Sequence, residues 1–215
     1  MRVGLVIFDC DGVLINSEPI ANRVFRDRLA AVGLRLPLEE VMRTFIGKTR
    51  AGCIEVAQRM LKRPLPADFV AGWDEALYAA FRAELKPVEG VPELLAAMTV
   101  PYCVASNGEP KRMSIALEAA GLMPFVRDHL FTASEVKHPK PAPDLFLHAA
   151  RHMGAKPADC AVVEDTPTGV KAAVAAGMKV FGFAGAPHAD AARLRSEGAT
   201  PFTAMRELPA LLERA

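Results

Sequence analysis

The chain has 215 residues, of which 51% are hydrophobic and 24% charged, and its formal net charge is +1. This composition is typical of a globular protein with an ample core. A charge so close to zero gives no electrostatic reason to expect nucleic acid or a membrane surface as a partner, and no apolar run approaches the roughly 18–20 residues of a membrane-spanning helix. We therefore expect one domain, or one domain with an insertion.

The four cysteines, Cys10, Cys53, Cys103 and Cys160, are scattered along the chain without CxxC spacing. Three of them lie in or beside apolar, strand-like runs, so we interpret all four as reduced core residues. The apolar run that follows Arg2 is too short for a signal peptide. Together these features predict a cytoplasmic protein.

The first apolar run, Val3–Phe8, is short and β-prone, which predicts a strand buried on both faces of a parallel sheet. Asp9 and Asp11 follow it. In a nearly extended backbone, positions i and i+2 face the same side. Both carboxylates are therefore expected at the carboxyl end of this strand, where open α/β sheets bind ligands. Like charges at this spacing need a cation or a shared proton.

Residues 16–85 have helical periodicity and contain no β-branched run. The spacing predicts a helix that starts at about 16–19 and ends at Gly33, followed by helices over 38–45, 51–61 and 67–85. We therefore predict a helical cap domain over residues 16–85, inserted into a core formed by residues 1–15 and 86–215. Because the insertion leaves the chain beside Asp9 and Asp11, we expect it to act as a lid over them.

The remainder of the chain alternates between short apolar runs and helical segments. Predicted strands cover 102–105, 130–132, 160–163, 179–183 and 200–203, and predicted helices cover 93–98, 110–120, 143–153, 167–176, 188–197 and 206–214. This alternation predicts an α/β fold, a Rossmann-like doubly wound parallel sheet with right-handed crossovers.

Polar residues cluster at the predicted carboxyl ends of four strands, or in the loops just after them. These clusters are Asp9 with Asp11, Ser106 with Asn107, Lys140, and Glu164 with Asp165. Carboxylates suit a hard divalent cation such as Mg²⁺, and the absence of histidine from the set makes zinc less natural. A lysine and a hydroxyl suit a transferring phosphoryl group, whose charge is spread over three oxygens.

Four ordered motifs resemble those of the haloacid-dehalogenase-like hydrolases: the DCDGVL run at 9–14, Ser106, Lys140 with Pro141, and VVEDTPTGV at 162–170. The helical insertion resembles the small cap of the β-phosphoglucomutase-like members. More narrowly, residues 97–101, 104–108 and 187–188 resemble bacterial 6-phosphogluconate phosphatases.

The resemblance implies catalytic roles for Asp9, Asp11, Ser106 and Lys140 and a substrate-binding role for Asn107. Asp9 would be the nucleophile that forms an aspartyl-phosphate. Asp11 would protonate the leaving group and then activate water. Ser106, Asn107 and Lys140 would contact the substrate, with Lys140 neutralising the charge shared by Asp9 and the phosphoryl group.

The resemblance also implies a Mg²⁺ cofactor and a substrate-binding cap loop. The metal ligands would be Asp9, the Asp11 backbone carbonyl, Asp165 and Glu164, with Glu164 bound either directly or through water. Gly47, Lys48 and Arg50 lie in the stretch that resembles this cap loop, and the two cations would bind a carboxylate or second phosphate of the substrate.

The expected function is a Mg²⁺-dependent phosphatase, a monomer or weak dimer, acting on a small phosphorylated metabolite such as a sugar phosphate or 6-phosphogluconate. A β-phosphoglucomutase-type phosphomutase is one alternative, disfavoured because Ala21 stands where the mutase has a cap histidine. A dehalogenase is disfavoured because a departing halide needs no proton from Asp11. A catalytically idle protein that only binds a phosphorylated metabolite is the alternative from another class.

Overall fold

The computed structural model describes residues 3–45, 48–186 and 189–215. The chain separates into two compact units. Met1–Asn16 with Lys86–Ala215 form the first, called the core unit here, and Ser17–Leu85 form the second, called the helical unit. Within the described ranges, no helix is long and apolar enough to cross a membrane.

The core unit is built on one parallel sheet. Among the described residues the sheet has six strands: β1 (Leu5–Phe8), β2 (Tyr102–Ser106), β3 (Leu130–Thr132), β4 (Cys160–Glu164), β5 (Lys179–Phe183) and β6 (Thr200–Phe202). They lie in the order β3-β2-β1-β4-β5-β6. The predicted doubly wound, Rossmann-like α/β fold is therefore confirmed.

The register of the sheet brings three strand ends to the same level. Phe8, the last residue of β1, lies opposite Val104 of β2 and Val163 of β4. All four residues of β1 are buried because the strand is central and covered on both faces. Since the strand order reverses at β1, its carboxyl end is where such a sheet forms a binding crevice.

The helices of the core unit cover both faces of the sheet. They are α5 (Val91–Ala97), α6 (Pro110–Ala119), α7 (Met123–Val126), α8 (Asp144–His152), α9 (Pro167–Ala175), α10 (Ala191–Ser196) and α11 (Leu208–Glu213). The sequence pattern did not predict α7, and α10 begins three residues later than predicted because Asp190 caps it by accepting from two backbone N–H groups.

The helical unit contains α1 (Glu18–Ala31), α2 (Leu38–Phe45), α3 (Arg50–Leu61) and α4 (Phe69–Glu84). It has a hydrophobic cluster of its own, centred on Phe25. The Phe25 ring stacks on Trp73, with 4.3 Å between ring centroids, and meets Phe45 edge-on at 5.0 Å. Aromatic burial of this kind stabilises helices that pack only on each other.

Gly182 in β5 offers a test of how tightly α10 packs on the sheet. A methyl group there would lie 3.1 Å from the Cβ atoms of both Leu194 and Ala199. We expect Gly182→Ala to lower the free energy of unfolding by about 1–3 kcal/mol because the core is overpacked. Gly4→Ala is the control, since its nearest neighbour would be 3.6 Å away. Urea unfolding measures both, and equal effects would contradict the packing described.

Candidate active site

The loop after β1 holds Asp9 and Asp11 in place. Asp9 is buried, and its N–H donates to the carbonyl oxygen of Val163 at 2.9 Å, which extends the β1–β4 pairing by one residue. The chain then turns tightly, so that the N–H groups of Leu14 and Ile15 both donate to the Cys10 carbonyl oxygen. Gly12 has φ of 83°, which would strain any residue with a Cβ. This turn fixes the backbone of Asp11.

Lys140 lies at the centre of the site with its ammonium buried. Its Nζ donates to Asp9 Oδ1 at 2.6 Å, to Glu164 Oε1 at 2.7 Å and to the Ala105 carbonyl oxygen at 2.8 Å. These three acceptors match the three protons of an ammonium. The Lys140 side chain is only 3% exposed, and its Nζ lies 4.5 Å from the centre of the Phe146 ring.

Opposing influences set the charges of this cluster. Burial lowers the pKa of Lys140, but the carboxylates of Asp9 and Glu164 outweigh it and raise that pKa above the usual lysine value. Lys140 is therefore an ammonium at neutral pH. Burial raises the pKa of Asp9, Lys140 lowers it, and Glu164 and Asp165 raise it further.

Asn107 and Ser106, at the end of β2, have different roles. Asn107 Nδ2 donates to the Lys140 oxygen at 3.0 Å, and Asn107 Oδ1 accepts from the Lys140 N–H at 3.1 Å. These two bonds position the Lys140 backbone, and the substrate contact expected for Asn107 stays a prediction. Ser106 is buried, and its Oγ accepts from the Gly108 N–H at 3.1 Å. A hydroxyl that accepts one bond keeps its own proton as a donor.

Glu164 uses both carboxylate oxygens on the protein. Oε1 accepts from Lys140, while Oε2 accepts from the N–H groups of Asp165 and Thr166, each at 3.1 Å, and from Thr166 Oγ1 at 2.9 Å. Glu164 therefore positions Lys140, and its expected role at a metal, directly or through water, stays a prediction. Asp165, another of the expected ligands, is also buried.

The donor set fits a hydrated magnesium ion. Asp9 and Glu164 both contact the Lys140 ammonium, and the buried carboxylate of Asp165 adds further negative charge near Asp9. Buried charge without compensation is costly. Among the residues that the structure describes, no three His, Cys, Asp or Glu side chains form a group that would hold an ion alone. Mg²⁺ typically uses only one or two carboxylates and keeps several waters. Asp9, Asp165 and a backbone carbonyl can supply the protein ligands that such an ion needs.

Arg112 is a neighbour of Asp11 that the sequence analysis did not identify. Its Nη2 donates to Asp11 Oδ1 at 3.2 Å, although the two residues are 101 positions apart. Arg112 lies in the first turn of α6, where the side chain of Glu109 caps the helix by accepting from two backbone N–H groups. Asp11 is thus held from two sides, by its own loop and by α6.

The expected substrate-binding residues of the helical unit differ in their surroundings. Arg50 forms a bidentate ion pair with Asp74, at 2.7 and 2.8 Å, and its guanidinium lies 5.3 Å from the centre of the Trp73 ring. Lys48 is exposed. Gly47 lies outside the described residues, as does the 187–188 pair.

The chain has clear relatives among known proteins. The family model for haloacid dehalogenase-like hydrolases matches residues 3–177. The 6-phosphogluconate phosphatase of Escherichia coli K12 is 32% identical, over 98% of this chain and 95% of the relative. A HAD family hydrolase from Deinococcus radiodurans R1, crystallised with bound phosphate and sodium, is 35% identical with a TM-score of 0.82, covering 99% and 96% of the two chains. A putative β-phosphoglucomutase from Thermotoga maritima shares the fold, with a TM-score of 0.85 at 24% identity over both full chains.

Gly169 tests the role of Glu164. A methyl group on this α9 residue would overlap the Glu164 carboxyl group, which Lys140 and the loop donors hold in place. We expect Gly169→Ala to displace Glu164, loosen Lys140 and lower kcat/KM by about tenfold or more. The control is Thr168→Ala, which alters an exposed side chain of the same helix. Steady-state assays and melting curves of both variants check this, and wild-type turnover in Gly169→Ala would contradict the role.

Proposed function

This chain belongs to the haloacid dehalogenase-like hydrolases and is a phosphoric monoester hydrolase, and we propose that it hydrolyses a sugar phosphate or sugar-acid phosphate through a phosphoryl group carried on Asp9. The observation that carries this proposal is the buried 2.6 Å contact between Lys140 and Asp9. An ammonium there holds the nucleophile in one orientation and opposes the negative charge that a phosphoryl group brings. The 32% identity to 6-phosphogluconate phosphatase over nearly the whole chain supports this substrate class.

In the first step, a carboxylate oxygen of Asp9 attacks phosphorus, and the bond between phosphorus and the ester oxygen breaks. The leaving oxygen takes a proton from Asp11, because an alkoxide is a poor leaving group without one. Lys140 and the Ser106 hydroxyl stabilise charge on the phosphoryl oxygens. The products of this step are the free alcohol and an aspartyl-phosphate at Asp9.

In the second step, water attacks the phosphorus of the aspartyl-phosphate. Asp11, now a carboxylate, takes a proton from that water as the Asp9–phosphorus bond breaks. Inorganic phosphate leaves, and Asp9 returns to its starting state. The same residue therefore serves as acid and then as base.

The cofactor in this proposal is Mg²⁺, held by the side chains of Asp9 and Asp165 and the backbone carbonyl of Asp11. When bound, it would supply positive charge that offsets the charge of the carboxylates and of the phosphoryl group. The single charge of Lys140 balances only one of the three buried carboxylates at Asp9, Glu164 and Asp165, which supports a requirement for further positive charge.

Substrate selection is assigned to the helical unit. Lys48 is an exposed cation in the stretch that resembles the cap loop, and we expect it to attract an anionic group of the substrate. Arg50 is already neutralised by Asp74, so a substrate carboxylate would have to share its guanidinium. The cytoplasm is the proposed location, since all four cysteine thiols are free and buried.

The substrate class is tested with a panel of phosphate esters that includes 6-phosphogluconate, fructose 1-phosphate and β-glucose 1-phosphate. We expect phosphate release that needs Mg²⁺, is abolished by EDTA and is restored by added Mg²⁺. Asp9→Asn is expected to be inactive because an amide is a poor nucleophile. Product analysis separates the alternatives: isomerised sugar phosphate without net phosphate release indicates a mutase, and no reaction with any ester would refute the proposal.

Lys140 is tested separately from the nucleophile. Lys140→Met keeps an unbranched side chain that is one heavy atom shorter and removes the ammonium, so we expect a loss of about 3–4 kcal/mol of transition-state stabilisation, roughly a hundredfold or more in kcat. Lys156→Met, at an exposed lysine, is the control. Circular dichroism of both variants excludes unfolding as the cause. A folded Lys140→Met enzyme with near-normal kcat would remove Lys140 from the mechanism.

A further inference from the structure

The contact between Arg112 and Asp11 joins a helix to the residue proposed to move protons. Arg112 Nη2 lies 3.2 Å from Asp11 Oδ1, and both side chains are partly exposed. An ion pair at this level of exposure contributes little to stability. We therefore expect the ion pair to affect the orientation of Asp11 rather than the stability of the fold.

The backbone of Arg112 is fixed independently of Asp11. Pro110 begins α6, and the Glu109 carboxylate accepts from the N–H groups of Lys111 and Arg112 at 3.1 and 3.0 Å. Met113, the next residue, is buried and anchors the helix to the core. The guanidinium thus reaches Asp11 from a first turn whose backbone is held by the Glu109 cap.

The second oxygen of Asp11 faces the end of β2. A methyl group placed on Gly108 would lie 3.8 Å from Asp11 Oδ2 and 3.3 Å from Ser106 Oγ. Oδ2 and the Ser106 hydroxyl therefore border the same small space beside Gly108. The Asp11 carboxylate has one oxygen at Arg112 and the other beside a group assigned to the phosphoryl oxygens.

We propose that Arg112 is a positioning residue that holds Asp11 Oδ1, so that Oδ2 is the atom that transfers the proton. The inference rests on the proposed function. In the first step, the proton on Oδ2 moves to the ester oxygen as its bond to phosphorus breaks. In the second step, Oδ2 takes a proton from the attacking water, and phosphate leaves Asp9. Arg112 itself exchanges no proton and touches no reacting atom.

Orientation matters most when the leaving group depends on the proton. Displacing a reacting group by about 1 Å can reduce rates by roughly a hundredfold. An alkoxide needs protonation as it leaves, whereas p-nitrophenolate leaves readily as an anion. Loss of Arg112 should therefore slow hydrolysis of an alkyl phosphate far more than hydrolysis of p-nitrophenyl phosphate.

The experiment compares kcat/KM for p-nitrophenyl phosphate and for the alkyl phosphate that the wild-type protein hydrolyses best. We expect Arg112→Ala to reduce the alkyl value by about tenfold or more and the p-nitrophenyl value by less than about threefold. Arg112→Lys should recover part of the alkyl activity. Arg151→Ala, at an exposed arginine of α8, is the matched control and should change neither value.

A double-mutant cycle with Asp11 completes the test. If Arg112 acts through Asp11, Arg112→Ala should add little further loss to Asp11→Asn, because the two substitutions remove the same function. Equal losses with both esters, additive losses in the cycle, or a loss confined to KM would each overturn the inference. A wild-type protein that hydrolyses neither ester would instead refute the proposed function. This outcome differs from the three that overturn the role of Arg112, because those require an active wild-type protein.

Discussion

The buried ammonium of Lys140 is the interaction on which the rest of the site depends. It lies between Asp9 after β1, the Ala105 carbonyl oxygen of β2 and Glu164 of β4, with all three distances at 2.8 Å or less. These acceptors come from three neighbouring strands, so the strand order β2-β1-β4 is what brings them together. Without the lysine, two buried carboxylates would face each other uncompensated, which is strongly unfavourable.

A network of smaller contacts keeps that ammonium in place. Asn107 holds the Lys140 backbone through two hydrogen bonds, and Thr166 and its neighbouring N–H groups hold the far oxygen of Glu164. Gly169 makes room for the Glu164 carboxyl group. Because these groups polarise and orient one another, their contributions are not expected to add independently. The result is a nucleophile whose orientation is set before the substrate arrives.

The sequence predicted the sheet and the central acids because the carboxyl ends of parallel strands share one edge of the sheet. Apolar runs and the polar residues directly after them are therefore enough to locate that edge. It did not predict the partners of Asn107 and Glu164, since loop geometry decides where an amide or carboxylate points. Arg112 resembles any exposed helical arginine in the sequence, and its contact with Asp11 spans 101 positions. The observed start of α10 differs from the predicted one by a few residues because the Asp190 side chain caps the backbone there.

The central claim is that Asp9 carries the phosphoryl group during turnover, and the most direct measurement is mass spectrometry of the quenched enzyme. The Asp11→Asn variant, which lacks the base for the second step, is mixed with Mg²⁺ and p-nitrophenyl phosphate, whose leaving group needs no acid. The reaction is stopped in acid and the protein is digested. A mass gain of one phosphoryl group on Asp9 is expected. Release of p-nitrophenolate with an unmodified Asp9 peptide, or with the phosphoryl group on another residue, would contradict the mechanism.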